Sequence, residues 1–215
     1  MAFPYSLVIF DLDGTLVDSA AAIADSVNRT LVDWKLPTYD TARITGWIGE
    51  GSRKLITYAF EAAGSKADID EVMPGFLVHY GETALDGTAY EGVVETLSAL
   101  HARGVKLAVC TNKNEEFIRP LLQERGMLQY IDWIVGANTL PERKPSGVPL
   151  LHIVKEAGVA PARALMVGDS ESDMLAARDA KLDYVLVSYG YPKSLDLKNA
   201  GARVVIDRMP QLLDL

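Results

Sequence analysis

The chain has 215 residues, 49% hydrophobic and 23% charged, which suits one large domain or one domain carrying a smaller second one, with a sizeable core. Its 21 basic and 29 acidic residues give a formal charge of −8, and no run of Lys or Arg tracks a phosphate backbone, so nucleic acid is not an expected partner. No stretch approaches the roughly 18 consecutive apolar residues of a membrane span, and a single cysteine, Cys110, rules out an internal disulfide and reads as a packing residue.

From the N-terminus, residues 7–10 form an apolar run that reads as a strand and ends in Asp11-Leu12-Asp13-Gly14-Thr15. Asp11 cuts the apolar start short, with no basic region before it and no small-residue cleavage site after it, so a cytoplasmic protein is expected. From about 17 to 83 the texture is helical. Ile23, Val27, Leu31 and Trp34 recur at helical spacing, then Ile56, Phe60 and Ala63, then Ile69, Val72, Met73, Phe76, Leu77 and Tyr80, and no convincing strand interrupts them. Pro74-Gly75 predicts either a kink in the last helix or a helix that begins at Pro74.

Beyond 84, helices and strands alternate. Val93, Leu97 and Leu100 share a helical face that stops at Gly104, and a strand follows at 105–110. Phe117, Ile118, Leu121 and Leu122 stop at Gly126 before a strand at 133–135, and Leu150, Leu151, Val154 and Ala157 stop at Gly158. Strands at 164–167, 184–187 and 203–206 complete the series. This alternation predicts an α/β fold, a parallel sheet wrapped by helices, with residues 17–83 as a helical insertion in a core made of 1–16 and 84–215.

Ligands of such sheets bind beyond the carboxyl ends of the strands. Side chains two apart on an extended chain point the same way, so Asp11 and Asp13 are expected to project together. Thr111-Asn112 ends the second core strand, Lys144-Pro145 follows the third, and Gly168-Asp169-Ser170-Glu171-Ser172-Asp173 follows the fourth. Four carboxylates and one Lys leave a charge of −3, which close like charges sustain only with a cation among them. Oxygen ligands suit Mg²⁺, whose shell a substrate phosphate can complete. A carboxylate about 4 Å from a phosphate dianion meets repulsion of about 8 kcal/mol at an effective dielectric of about 20, which Mg²⁺ and Lys144 are expected to offset. An Asp so placed can attack phosphorus while a second acid protonates the leaving oxygen and later activates water.

Asp11-Leu12-Asp13-Gly14-Thr15-Leu16-Val17-Asp18-Ser19, Thr111-Asn112, Lys144-Pro145 and Gly168 to Asp173 resemble, in order, the four motifs of the haloacid dehalogenase superfamily of hydrolases, over essentially the whole chain. The resemblance implies a Rossmann-like core and, in one subgroup, a helical cap just after the first motif, where residues 17–83 lie. It implies Asp11 as nucleophile and Mg²⁺ ligand, and Asp13 as general acid and base that also binds Mg²⁺ through its backbone carbonyl. Asp169 is the implied third ligand with Asp173 in support, Thr111 and Asn112 hold phosphate, and Lys144 neutralises the nucleophile and the transferring group. An Asp at position 13 resembles phosphatases and phosphomutases rather than dehalogenases.

Trp47-Ile48-Gly49-Glu50-Gly51, residues 108–113 and 140–145, and Ser188-Tyr189-Gly190-Tyr191 resemble bacterial phosphoglycolate phosphatases. That implies a small acid phosphate such as 2-phosphoglycolate as substrate. Phosphatases for sugar phosphates, nucleoside monophosphates or pyrophosphate, and a β-phosphoglucomutase-like phosphomutase, are the alternatives. A catalytically inactive binder of phosphorylated ligands is disfavoured because every catalytic side chain is present. The chain departs from the family at Glu91-Gly92, at Ser146-Gly147 and at Lys181, where a Gly often ends the helix.

Gly46 and Gly51 are spaced as in a P-loop, but Ser52-Arg53 follows and no strand precedes, so a nucleotide loop is not expected. Trp47, Gly49 and Gly51 are expected in a turn that closes over substrate, with Gly allowing close backbone approach. Arg53 or Lys54 reads equally as a partner for a substrate carboxylate and as part of a solvated helix face. A monomer or homodimer acting on a small phosphorylated metabolite is expected.

Overall fold

The computed structural model describes residues 3–215. Strand β1 (Leu7–Phe10) leads through a two-residue strand, β2 (Val17–Asp18), into four helices, α1 (Ala20–Asp33), α2 (Thr41–Thr45), α3 (Ser52–Ala62) and α4 (Ile69–Thr83). After β3 (Thr88–Ala89) come α5 (Val93–Ala102), β4 (Lys106–Cys110), α6 (Ile118–Glu124), β5 (Trp133–Val135), α7 (Val148–Glu156), β6 (Ala164–Gly168), α8 (Glu171–Asp179), β7 (Asp183–Val187) and β8 (Val204–Ile206). All six predicted strands form, with ends within one residue of those expected.

The sheet order is β5-β4-β1-β6-β7-β8, and every neighbouring pair is parallel. All four residues of β1 are buried, as helices on both faces of a parallel sheet require. Val8 and Phe10 pack with Leu97, Leu100 and Leu121 on one face, while Leu7 and Ile9 pack with Leu150, Ile153 and Met174 on the other. The chain builds outward from β1 to β5, then crosses back and builds the other way from β6. The order therefore reverses beside β1, and a crevice opens at its carboxyl end.

Helices α1 to α4 pack around a cluster of their own that includes Ile23, Val27, Leu31, Ile44, Ile56, Phe60, Val72 and Phe76. Helix α4 runs through Pro74, so a helix beginning there is not what forms; buried Val72 and Phe76 hold the turn despite the missing N–H. The strand-free expectation for 17–83 is also corrected, because Val17 pairs antiparallel with Ala89 and Asp18 with Thr88. A two-residue strand is too short for alternation to register, yet it brings the entry and exit of the insertion side by side. Among the described residues, no helix is long and apolar enough to cross a membrane.

Candidate active site

The ends of β1, β4 and β6 meet at one edge of the sheet. The Asp11 N–H still bonds Val167 O at 2.9 Å, so the ladder sets the direction of its side chain. Carboxylate oxygens of Asp11, Asp169 and Asp173 lie within 4.8 Å of one another, all three residues being buried. Lys144 Nζ sits 2.9 Å from Asp11 Oδ1 and 2.6 Å from Asp173 Oδ1. Asp11 Oδ1 also accepts the Leu12 N–H at 2.7 Å, whereas none of the described residues donates to Oδ2.

Each neighbour of Asp11 is anchored. Asp169 accepts from Thr15 Oγ1 at 2.8 Å and from the Tyr191 N–H at 2.7 Å. Gly14 and Gly190 make room for it, since a Cβ at either would come within 2.4 or 2.5 Å of the Asp169 side chain. Asp173 Oδ2 accepts from Ser170 Oγ at 2.6 Å and from the N–H groups of Ser170 and Asp169 at 3.0 and 3.2 Å. The bond from the Ser170 N–H is half of the capping box of α8, so one carboxylate serves both helix and site.

Three buried carboxylates against one ammonium leave two negative charges. Burial first, then the charge of Asp173, pushes Asp11 up to about 7 against the pull of Lys144. Burial, then Asp173 and Asp11, raises Asp169 well above the carboxylate range. For Lys144, burial pulls downward but Asp11 and Asp173 outweigh it, and the ammonium is held above its ordinary value. Hard oxygen donors short of two positive charges fit a divalent cation such as Mg²⁺.

Asp11 and Asp13 line one cavity. The Asp13 carboxylate does not join the cluster of three. It accepts from Lys113 Nζ at 2.8 and 3.1 Å and from Ser19 Oγ at 2.7 Å. Lys113 had no role in the sequence reading, and it corrects the charge count, because four Asp now face two Lys. The signal was available in the period of two: Lys113 follows Thr111 at the end of β4 as Asp13 follows Asp11.

Thr111 and Asn112 line the cavity and are buried. Asn112 Nδ2 donates to Gly49 O at 2.9 Å and to Lys144 O at 3.0 Å, so its side chain ties the 46–51 turn to Lys144 and keeps no N–H for a ligand. Gly49 and Gly51 line the cavity, joined by Ile23, Ile48, Leu55, Phe76 and Tyr80.

Trp47 and Arg53 are not brought to it. Trp47 meets Tyr39 edge-on, with ring centroids 5.4 Å apart, and lines a neighbouring cleft. Arg53 pairs with Asp70 at the surface, because Leu55 and Ile56 occupy the inward face of α3. Lys54 lies over the Tyr58 ring. Cys110 is buried in the core with its thiol pushed up to about 12 by burial, in keeping with packing.

Residues 8–187 match the family model for haloacid dehalogenase-like hydrolases. The chain is 40% identical over 215 residues to the phosphoglycolate phosphatase of Rhodospirillum rubrum, covering 96% of this chain and 89% of that protein. It is 37% identical over 214 residues to phosphoglycolate phosphatase 1 of Pseudomonas aeruginosa, covering 96% and 78%. The crystal structure of a predicted phosphoglycolate phosphatase from Haemophilus somnus matches with a TM-score of 0.91 at 32% identity, over 98% of this chain and 97% of that one. With the family model matched from residue 8 to 187 and these relatives aligned across 96% of its length, the chain belongs to the haloacid dehalogenase-like hydrolases.

Proposed function

We propose that this hydrolase is a Mg²⁺-dependent phosphomonoester phosphatase that works through an aspartyl phosphate on Asp11, with 2-phosphoglycolate or a similar small acid phosphate as substrate. The observation that carries this reading is the convergence of Asp11, Asp169 and Asp173 within 4.8 Å around Lys144, beside the cavity that holds Asp13. Relatives named phosphoglycolate phosphatases support the substrate.

Asp11 and Asp169 would hold the ion with side-chain oxygens and Asp13 with its backbone carbonyl. Asp173, whose oxygens are already engaged by Lys144, Ser170 and backbone N–H groups, supports them from behind. Bound there, Mg²⁺ supplies positive charge that polarises the phosphoryl group and offsets the crowding of carboxylates. Asp11 Oδ2, the oxygen without a protein donor, attacks phosphorus; the P–O ester bond breaks, and Asp13 protonates the departing oxygen. Asp13 then takes a proton from water as that water attacks phosphorus, releasing inorganic phosphate and restoring the Asp11 carboxylate. Thr111 holds the phosphoryl oxygens and Lys144 neutralises charge on Asp11 and the group in transfer. Residues 17–83 act as a cap whose Gly49–Gly51 turn and apolar side chains exclude water during transfer.

The test is phosphate release from a panel of 2-phosphoglycolate, hexose phosphates, nucleoside monophosphates and pyrophosphate, ranked by kcat/KM. We expect turnover that a chelator stops and Mg²⁺ restores, led by the two-carbon acid. Turnover indifferent to chelation would remove the metal from the mechanism. A hexose phosphate isomerised without free phosphate would make the enzyme a mutase.

A further inference from the structure

Nothing yet placed takes the carboxylate of an acid phosphate. Lys113 is the one cation among the described residues that line the catalytic cavity. Arg143, exposed beside the Gly51 backbone, does not line that cavity, and the other nearby cations are engaged elsewhere. Lys144 is locked between Asp11 and Asp173, Arg53 is on Asp70, Arg43 lies over the Tyr39 ring at 4.6 Å, and Lys193 faces Glu50 at 3.7 Å.

The Lys113 side chain is 2% exposed, and its ammonium carries three N–H bonds. Asp13 Oδ1 and Oδ2 account for two, at 2.8 and 3.1 Å, while Tyr80 occupies the third side, its ring centroid 4.8 Å from Nζ and its phenol oxygen a neutral partner of the ammonium. A neutral phenol and its ring are a weaker partner than an anion, so an entering carboxylate can take the third donor from Tyr80. Facing it from the insertion are Ile23, Leu55 and Phe76, which offer no charge to an entering anion. An anion enters such a lining only where a cation offsets its lost hydration.

We propose that Lys113 is the specificity-determining cation of this site: held in place by Asp13, it hydrogen-bonds the carboxylate of a substrate whose phosphoryl group lies at Asp11. It thereby selects carboxylate-bearing esters over neutral esters of the same size. The inference rests on the phosphatase reading, and the experiment separates the two.

The Mg²⁺-loaded enzyme is assayed with 2-phosphoglycolate and with ethyl phosphate, which carries a methyl group in place of the carboxylate. A hydrogen bond to a charged group gives an expected preference of about 10- to 100-fold in kcat/KM for the acid. Lys113→Met should bring that ratio near one, chiefly by raising KM for 2-phosphoglycolate, and Lys113→Arg should keep it. Because Lys113 also steadies Asp13, Lys113→Met slows both substrates by a common factor, which the ratio cancels. A ratio unchanged in Lys113→Met overturns the assignment and leaves Lys113 as a positioning residue for Asp13. Equal turnover of both esters by the unaltered enzyme overturns it too, with the phosphatase reading intact; turnover of neither, nor of any ester in the wider panel, overturns both. Should Lys113→Met not fold, Lys113→Gln, which keeps an N–H donor but no charge, carries the same comparison. Inhibition of the unaltered enzyme by phosphonoacetate and by ethylphosphonate adds a check without any variant: a preference for phosphonoacetate is expected, and equal inhibition overturns the proposal.

Discussion

The two walls of the cavity are held by different forces. On the sheet edge each charged side chain is fixed by several directed bonds: Asp169 by Thr15 and Tyr191, Asp173 by three donors and Lys144, Asp13 by Lys113 and Ser19. On the insertion side Ile23, Ile48, Leu55 and Phe76 are held by packing in a separate apolar cluster. Stabilising charge in a transition state needs dipoles and ions that do not have to reorganise, whereas choosing a substrate by size needs only volume. Chemistry and shape selection are therefore separable by mutation.

The largest expected effect is on the chemical wall. Asp11→Asn removes the attacking oxygen while preserving shape, and kcat should fall by more than about 10⁴-fold with the circular dichroism spectrum unchanged. Near-normal turnover by that variant would end the covalent mechanism.

The second effect is on stability. Without metal, the folded chain holds the Asp11 proton up to about 7 instead of the ordinary 3.8. The folded state thus binds more protons than the unfolded one between those values, so stability should fall as pH rises through that window and stay low above it. Added Mg²⁺ at about pH 8 takes the place of the proton and should return about 2.7 kcal/mol at a hundred-fold excess over Kd, or about 5–10 °C in Tm. Asp11→Asn should flatten the pH dependence and weaken the metal effect. A metal-free Tm that does not change from about pH 4 to 7 would show that the carboxylates are not crowded as described.

The same contrast governs what the sequence discloses. Strands such as Leu7–Phe10 are legible because burial on both faces demands a continuous apolar run, and the carboxylates are legible because they follow those runs directly. Lys113 obeys the same period of two and was readable by it. The ribbon of β2 and β3 was not, since two residues per strand carry no period. Arg53 misleads because spacing places it on α3 without saying which face turns inward, and the burial of Leu55 and Ile56 decides that. Asn112 shows a further limit: its amide could serve phosphate in any linear reading, yet the nearby Gly49 and Lys144 carbonyls, 63 and 32 residues away, use both N–H groups.

On the packed wall, Leu55→Ala should open space beside the substrate rather than alter chemistry. One side chain's worth of room should raise kcat/KM for a bulkier ester such as phenyl phosphate, relative to ethyl phosphate, by about 10-fold. A fall in Tm should accompany it, because Leu55 is buried in the insertion's cluster. If the ratio stays fixed while kcat on both esters collapses, the insertion is part of the chemical apparatus and the contrast between the walls fails.

The smallest effect asks whether the two regions unfold together. Lys35 follows α1 in the insertion and Lys181 follows α8 in the core, both at φ 57. Each closes its helix alike: Leu36 N–H reaches Leu31 O at 2.8 Å, and Leu182 N–H reaches Ala177 O at 2.9 Å. A side chain in that left-handed conformation costs about 1 kcal/mol that glycine avoids, so Lys35→Gly and Lys181→Gly should each stabilise by up to that amount, about 2–4 °C in Tm. In a single cooperative unit both substitutions move one transition equally. If instead the insertion melts on its own, Lys35→Gly raises only the earlier of two calorimetric transitions, and the wall that selects by shape is also the one that opens first.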